Sequence, residues 1–227
     1  YVQRVATAFN AGRFSEGTAS FGTGSKGDLQ AVAAAILLDP EARAGTATAA
    51  GGRLREPVLF FTHVLRALGG RSDGQALTWW WGNDLGQHIL RPASVFNYYA
   101  PDYPVPGTGG LQGPEFAILG ASAGLARLNF INYLVYWGGS APVAGFTDAL
   151  GTQVDLKPFE TDADNPAALV DRLLRLAVGG RISASARNTI IQAVSAWGPV
   201  HGAQYRSERV KAAATTKVVL GVGVAIH

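Results

Sequence analysis

Residues 91–107, RPASVFNYYAPDYPVPG, hold four prolines and four aromatics in 17 positions. Each proline locks its own φ, lacks an amide donor and pushes the preceding residue away from the helical region. No single helix or central strand can therefore run through this stretch. Its aromatic side chains nevertheless call for burial or a partner. The segment is expected to be an ordered, irregular connector packed onto a fold built from other parts of the chain.

Those other parts read as helices. VQRVATAF suggests a short first helix. Asp28 is placed to cap LQAVAAAILL, which stops at Asp39-Pro40. EPVLFFTHVLRAL starts with Glu56 and Pro57, ends at Gly69-Gly70, and repeats Val58, Phe61, Leu65 and Leu68 at helical spacing. A short element is expected over Gln75–Trp81. The longest helix is expected from Pro114 to Trp137, where Gly120, Ala123 and Gly124 allow close contact or a break. Asn165-Pro166 opens ALVDRLLRLAV, with the stripe Leu169, Leu173, Leu176 and an i,i+4 pair Asp171–Arg175. Ser183 then precedes SARNTIIQAVSAW, and the two helices resemble an antiparallel pair. The valine-rich tail from Arg206 reads as a helix with a frayed or extended end.

Regular β–α alternation is absent, so a doubly wound sheet has no support. The expected fold is all-α, an irregular multi-helix bundle of roughly seven to nine helices around the proline- and aromatic-rich connector. Residues 1–227 are expected to form one helical domain. A subdivision into 1–144 and 163–227, joined by an acidic loop, is the alternative.

Composition narrows the function classes. Only 15% of residues are charged, and the formal net charge is +3. Residues 148–164 are acidic and the region from Arg181 onward is basic, but the basic residues are dispersed and carry no nucleic-acid-binding motif. Nucleic acid is therefore not an expected partner. Cysteine is absent, which removes thiolate nucleophiles, cysteine-ligated metals and disulfides. Methionine is absent too, even at position 1, so Tyr1 is expected to lie inside a longer protein. No signal-peptide core opens the chain, and no apolar run is long enough to cross a membrane.

Chemistry-bearing residues are few. The four histidines, His63, His88, His201 and His227, form no HExxH or HxH pattern, so no metal is expected. His63 sits in an apolar helix and reads as a packing residue. GTGSKGD at 22–28 and GTGG at 107–110 lack the full phosphate-loop pattern, no serine lies in a GxSxG elbow, and the 155–165 acids lack EF-hand spacing. No cofactor is expected. His88, Arg91, Asn97, Asp102 and Glu115 cluster in sequence at the connector and could line one ligand pocket, or could hold the connector in place. Trp79, Trp80 and Trp81 cannot share one helical face, so at least one must touch another element or solvent. They plug the core or form an aromatic contact surface for a sugar or a protein.

Three blocks in this order resemble the C-terminal half of the DUF1800 family of uncharacterised bacterial proteins: KGDLQAVAAAILLDPEAR (26–43), LREPVL (54–59), and the connector followed by LQGPEFAILGASA (111–123). LVDRLLRLAVGGRISASARNTII resembles the family's closing helices. The resemblance implies a mostly α-helical, often exported protein, periplasmic or extracellular, whose partners include the missing N-terminal half or a co-exported protein. It supplies no catalytic residue, so whether the chain is an enzyme stays undecided. An exported helical binding or assembly module is the favoured expectation. A hydrolase acting on a polymer or envelope component is one alternative, and a structural scaffold is the other.

Overall fold

The computed structural model describes residues 1–44, 55–179 and 182–221. The chain divides between Gly52 and Arg53 into two compact units.

In the first unit, α1 (Val2–Ala11) and α2 (Leu29–Leu38) flank a short hairpin. Its strands, β1 (Phe14–Glu16) and β2 (Ala19–Phe21), pair Phe14 with Phe21 and Glu16 with Ala19. The helix α2 begins where expected, because the Asp28 carboxylate accepts from the amides of Gln30 (2.9 Å) and Ala31 (3.2 Å). Its buried face is Ala31, Ala34 and Ala35, and Ala8 is the buried residue of α1. Pro40 ends α2 but also opens α3 (Pro40–Ala44), since proline is suited to a first helical turn. Arg4 clamps this corner with hydrogen bonds of 2.6 and 2.9 Å to Asp39 and 2.6 Å to Glu41.

The second unit is built on α4 (Pro57–Ala67), α6 (Ala121–Val135), α7 (Pro166–Val178), α8 (Ala184–Ser195) and α9 (Tyr205–Gly221). Between α4 and α6 lie β3 (Arg71–Ser72), a π-helical turn (Ala76–Trp81) that runs directly into the three-residue α5 (Gly82–Asp84), the connector, and a 3-10 turn (Pro114–Ile118). After α6, β4 (Thr152–Gln153) pairs antiparallel with β3. Phe130 of α6 is fully buried at the centre, stacked on Phe61 at 5.0 Å and edge-on to Phe60 and Trp81. Leucines and valines of α7, α8 and α9 extend the same core.

The all-helical expectation holds, with two tiny two-stranded sheets added. Helix ends fall at the expected punctuation: Gly69 and Gly179 take left-handed φ of 61°, and Asn165 and Ser183 cap α7 and α8. The expected long helix 114–137 is broken at Leu119-Gly120, where a 3-10 turn gives way to α6. The α7 stripe is corrected. Leu176 is 41% exposed, while Val170 and Leu174 are buried beside Leu169 and Leu173. Asp171 likewise gives its hydrogen-bonded pair to Arg187 of α8, bidentate at 2.6 and 2.7 Å, and feels Arg175 only through its charge. A planar guanidinium on the packed neighbour matches both carboxylate oxygens, which outweighs a local i,i+4 contact.

The acidic stretch is more structured than a solvated loop. Residues Lys157–Asp162 form a 3-10 turn that buries Phe159. Asp162 pairs with Arg172, and Asp164 with Arg206 of α9 at 2.5 Å. The stretch falls within the second unit. Arg181 and the expected extended end at 222–227, with His227, lie outside the described residues. None of the described helices is long and apolar enough to cross a membrane.

Candidate functional site

The π-helical turn organises the region where the sequence placed its candidates. It is launched by Asp73, whose carboxylate accepts from the amide of Gln75 (3.0 Å) on one side and from Leu150 (3.0 Å) and Gly151 (2.9 Å) on the other. These amide bonds, Gln75 first, hold the Asp73 carboxyl below its ordinary range. The wide turn then brings the Leu77 carbonyl against position 82. A Cβ there would lie 2.3 Å from that oxygen, so only glycine fits.

The turn divides the three tryptophans. Trp81 packs inward, 5.5 Å from Phe130 and 5.4 Å from Tyr133 between ring centroids. Trp79 and Trp80 remain 54% and 48% exposed, which corrects the core-plug reading for both. Trp79 meets the edge of Phe146, itself 58% exposed, at 6.4 Å. Trp137, just beyond α6, is exposed as well.

Of the five polar candidates, His88 is the best anchored. Its ring Nε2 hydrogen-bonds to the Thr78 carbonyl within the π-turn, so the imidazole donates there. The His88 backbone carbonyl accepts from both the Tyr98 hydroxyl (2.5 Å) and the Arg91 amide (3.0 Å). This carbonyl fastens the start of the connector. Asn97 is exposed and takes a left-handed φ of 72°, a conformation its short polar side chain tolerates. Its amide donates to the Ser94 carbonyl. The Arg91 and Asp102 side chains are exposed and make no hydrogen bond or ion pair with described residues. Among the described residues, neither side chain holds the connector in place through a hydrogen bond.

Glu115 is half-buried in the 3-10 turn and joins a different group. Burial, then the carboxylates of Glu56 and Glu115, push the Tyr99 phenol upward. Glu56 in turn accepts from the Gln87 amide nitrogen at 2.5 Å, and the Gln87 oxygen accepts from the Val58 amide at 2.8 Å. Gln87 is almost wholly buried and satisfies one of the orphan donors at the start of α4. The structure thus bonds His88 to Tyr98 and sets Glu115 within electrostatic reach of Tyr99, and among the described residues no bond forms between His88 and either Asp102 or Glu115.

The connector itself is made of turns and isolated bridges, as its prolines require. Its expected packing is only partial. Tyr98, Tyr99 and Tyr103 are half-buried, whereas Val95 and Phe96 stand in solvent. A segment too proline-rich to join a ladder or helix presents one side to the fold and leaves the other uncovered.

The family model for DUF1800, described as a protein of unknown function, matches residues 1–221. The chain belongs to the DUF1800 family. Searches of curated proteins and of solved structures returned no match. For this DUF1800 chain the match spans the helices, the π-turn and the connector alike. The sequence missed Asp73, Gln87 and Tyr98 as organisers. Gln87 reaches back 29 residues to Val58, and Asp73 forward 77 and 78 to the 150–151 amides, so no local pattern announces them. His63 bonds the Ala177 carbonyl of α7, which places it among packing groups. Among the described residues no group of three His, Cys, Asp or Glu could hold a metal ion.

Proposed function

We propose that this DUF1800 chain is a binding or assembly module that recognises a protein partner through the exposed aromatics around the π-turn. The observation that carries it is the Trp79–Phe146 edge contact, with both rings more than half exposed and Trp80 beside them. Large aromatic side chains held on a braced turn and left in water cost solvation that a partner would recover. They are also the residue types that concentrate binding energy at interfaces. The family resemblance adds export to the periplasm or beyond, and a longer or co-exported protein as the source of the partner.

A hydrolase reading would need His88 beside a carboxylate, and its ring is committed to the Thr78 carbonyl instead. A scaffold reading would need internal tryptophans, which Trp79 and Trp80 are not. The test is capture of partners by the full-length protein, with W79S/W80S as the variant. The double variant should lose the partner while its thermal midpoint stays near wild type, because exposed substitutions change stability by only about 0.5 kcal/mol. Undiminished capture by a folded W79S/W80S protein would sink the proposal.

A further inference from the structure

A second feature of the π-turn lies on its buried side and does not depend on the partner surface. Leu77, two residues before Trp79, closes the wall of an open cleft of about 290 Å³. The other walls come from Phe61 and Leu65 on α4 and from Ile89. This volume is close to the lower end for small-molecule sites, and at roughly 30 Å³ per water it would hold about ten waters. The lining is mostly apolar, so those waters would gain little from the walls.

The polar groups at the cleft are few and one-sided. Thr62 and Ser72 supply hydroxyls, but each is already engaged: Thr62 donates to the Val58 carbonyl of its own helix, and Ser72 shares a 2.7 Å bond with Thr152. Ser72 also accepts from the Gly74 amide at 2.9 Å, and neither hydroxyl demands a ligand. Arg66 is the single charged side chain in the lining. It lies in the last turn of α4, is exposed, and pairs with no carboxylate among the described residues, whereas Arg172, Arg187, Arg206 and Lys211 each have one. One free guanidinium beside an apolar cleft complements one planar anion attached to an apolar body. A nucleotide or sugar phosphate would need more donors than this lining offers. A neutral sugar would need a denser set of polar partners.

We infer that this cleft binds a small monocarboxylate with an aliphatic tail, the tail lying against Phe61, Leu65, Leu77 and Ile89 and the carboxylate on Arg66. The chemistry would suit a medium-chain fatty acid or a branched-chain acid, and octanoate is the probe that separates head from tail. Calorimetry and methyl NMR on the full chain should show octanoate perturbing Leu65, Leu77 and Ile89, with n-octanol binding more weakly at the same place. R66Q, a surface change that leaves the core intact, should weaken octanoate about five- to tenfold and leave octanol unchanged. Added salt should act in the same direction as R66Q on octanoate alone. T62W, which fills the cleft from its rim, should abolish both. Octanoate that perturbs other methyls, or binds R66Q as tightly as wild type, would overturn the assignment. So would equal losses of octanoate and octanol on R66Q, because the arginine would then not be reading the head group. If T62W does not fold, the R66Q and salt arms still decide.

Discussion

The two units are held together by different physics. In the first, the buried face of α2 is three alanines, and the corner at Asp39 is fixed by Arg4. Alanine buries little apolar area, so caps and ion pairs must supply a larger share of the order there. In the second, Phe60, Phe61, Phe130 and Trp81 form one aromatic cluster that α7, α8 and α9 extend with leucine and valine. Each such side chain contributes about 1.5–3 kcal/mol on burial. The lesson is one of tolerance. A unit with a large core can lose a single polar contact, whereas a unit resting on alanines depends more on each of its caps and ion pairs.

Three experiments would break or sharpen that contrast. The largest effect should come from F130A, which removes the ring that Phe60, Phe61, Trp81 and Tyr133 all contact. Denaturant unfolding should register a loss of about 3–5 kcal/mol. Hydrogen exchange should place that loss in α4, α6 and α7 and leave α1 and α2 unchanged; equal losses in both units would erase the distinction.

Next comes Q87A. It frees the Val58 amide and the Glu56 carboxylate from their shared partner. A cost of about 1–3 kcal/mol is expected from the unmet buried groups, with faster exchange at the first turn of α4. Unchanged exchange there would mean that water replaces Gln87 at no cost.

The smallest effect should be the acid response of the first unit. Hydrogen bonds from Arg4 bring Asp39 down to about 2, and hydrogen bonds led by the Thr23 amide bring Asp28 to about 2. Both folded values lie below the ordinary 3.8, so the charged forms favour the folded state. That contribution is complete above about pH 4 and disappears as pH falls through about 2. Exchange in α2 should accelerate over this window in wild type and much less in D28N. The same window in D28N and wild type would show that the cap carries none of the pH dependence.

Much of the secondary structure was legible because its causes are local. Asp28, Asn165 and Ser183 cap helices where their side chains reach amides two or three residues ahead. Gly69 and Gly179 end helices because left-handed backbone is cheap only for them. Less of the candidate site was legible. His88 does anchor the connector, but through a carbonyl shared by Tyr98 and Arg91, and Asp102 takes no part. Leu176 and Arg175 illustrate the same limit on α7: spacing named a stripe and a pair, and the neighbouring helices selected Val170, Leu174 and Arg187 instead.

By itself the sequence determined the helical class, the stops and caps, the irregular connector and the family, because proline, glycine and capping side chains act within a few residues of themselves. Tertiary structure alone decided which tryptophan entered the core, which carboxylate met which arginine, and that a free Arg66 borders an apolar cleft. Those outcomes depend on contacts between residues far apart in the chain. Such contacts are chosen by how helices and turns pack as whole bodies, and no local pattern encodes that choice.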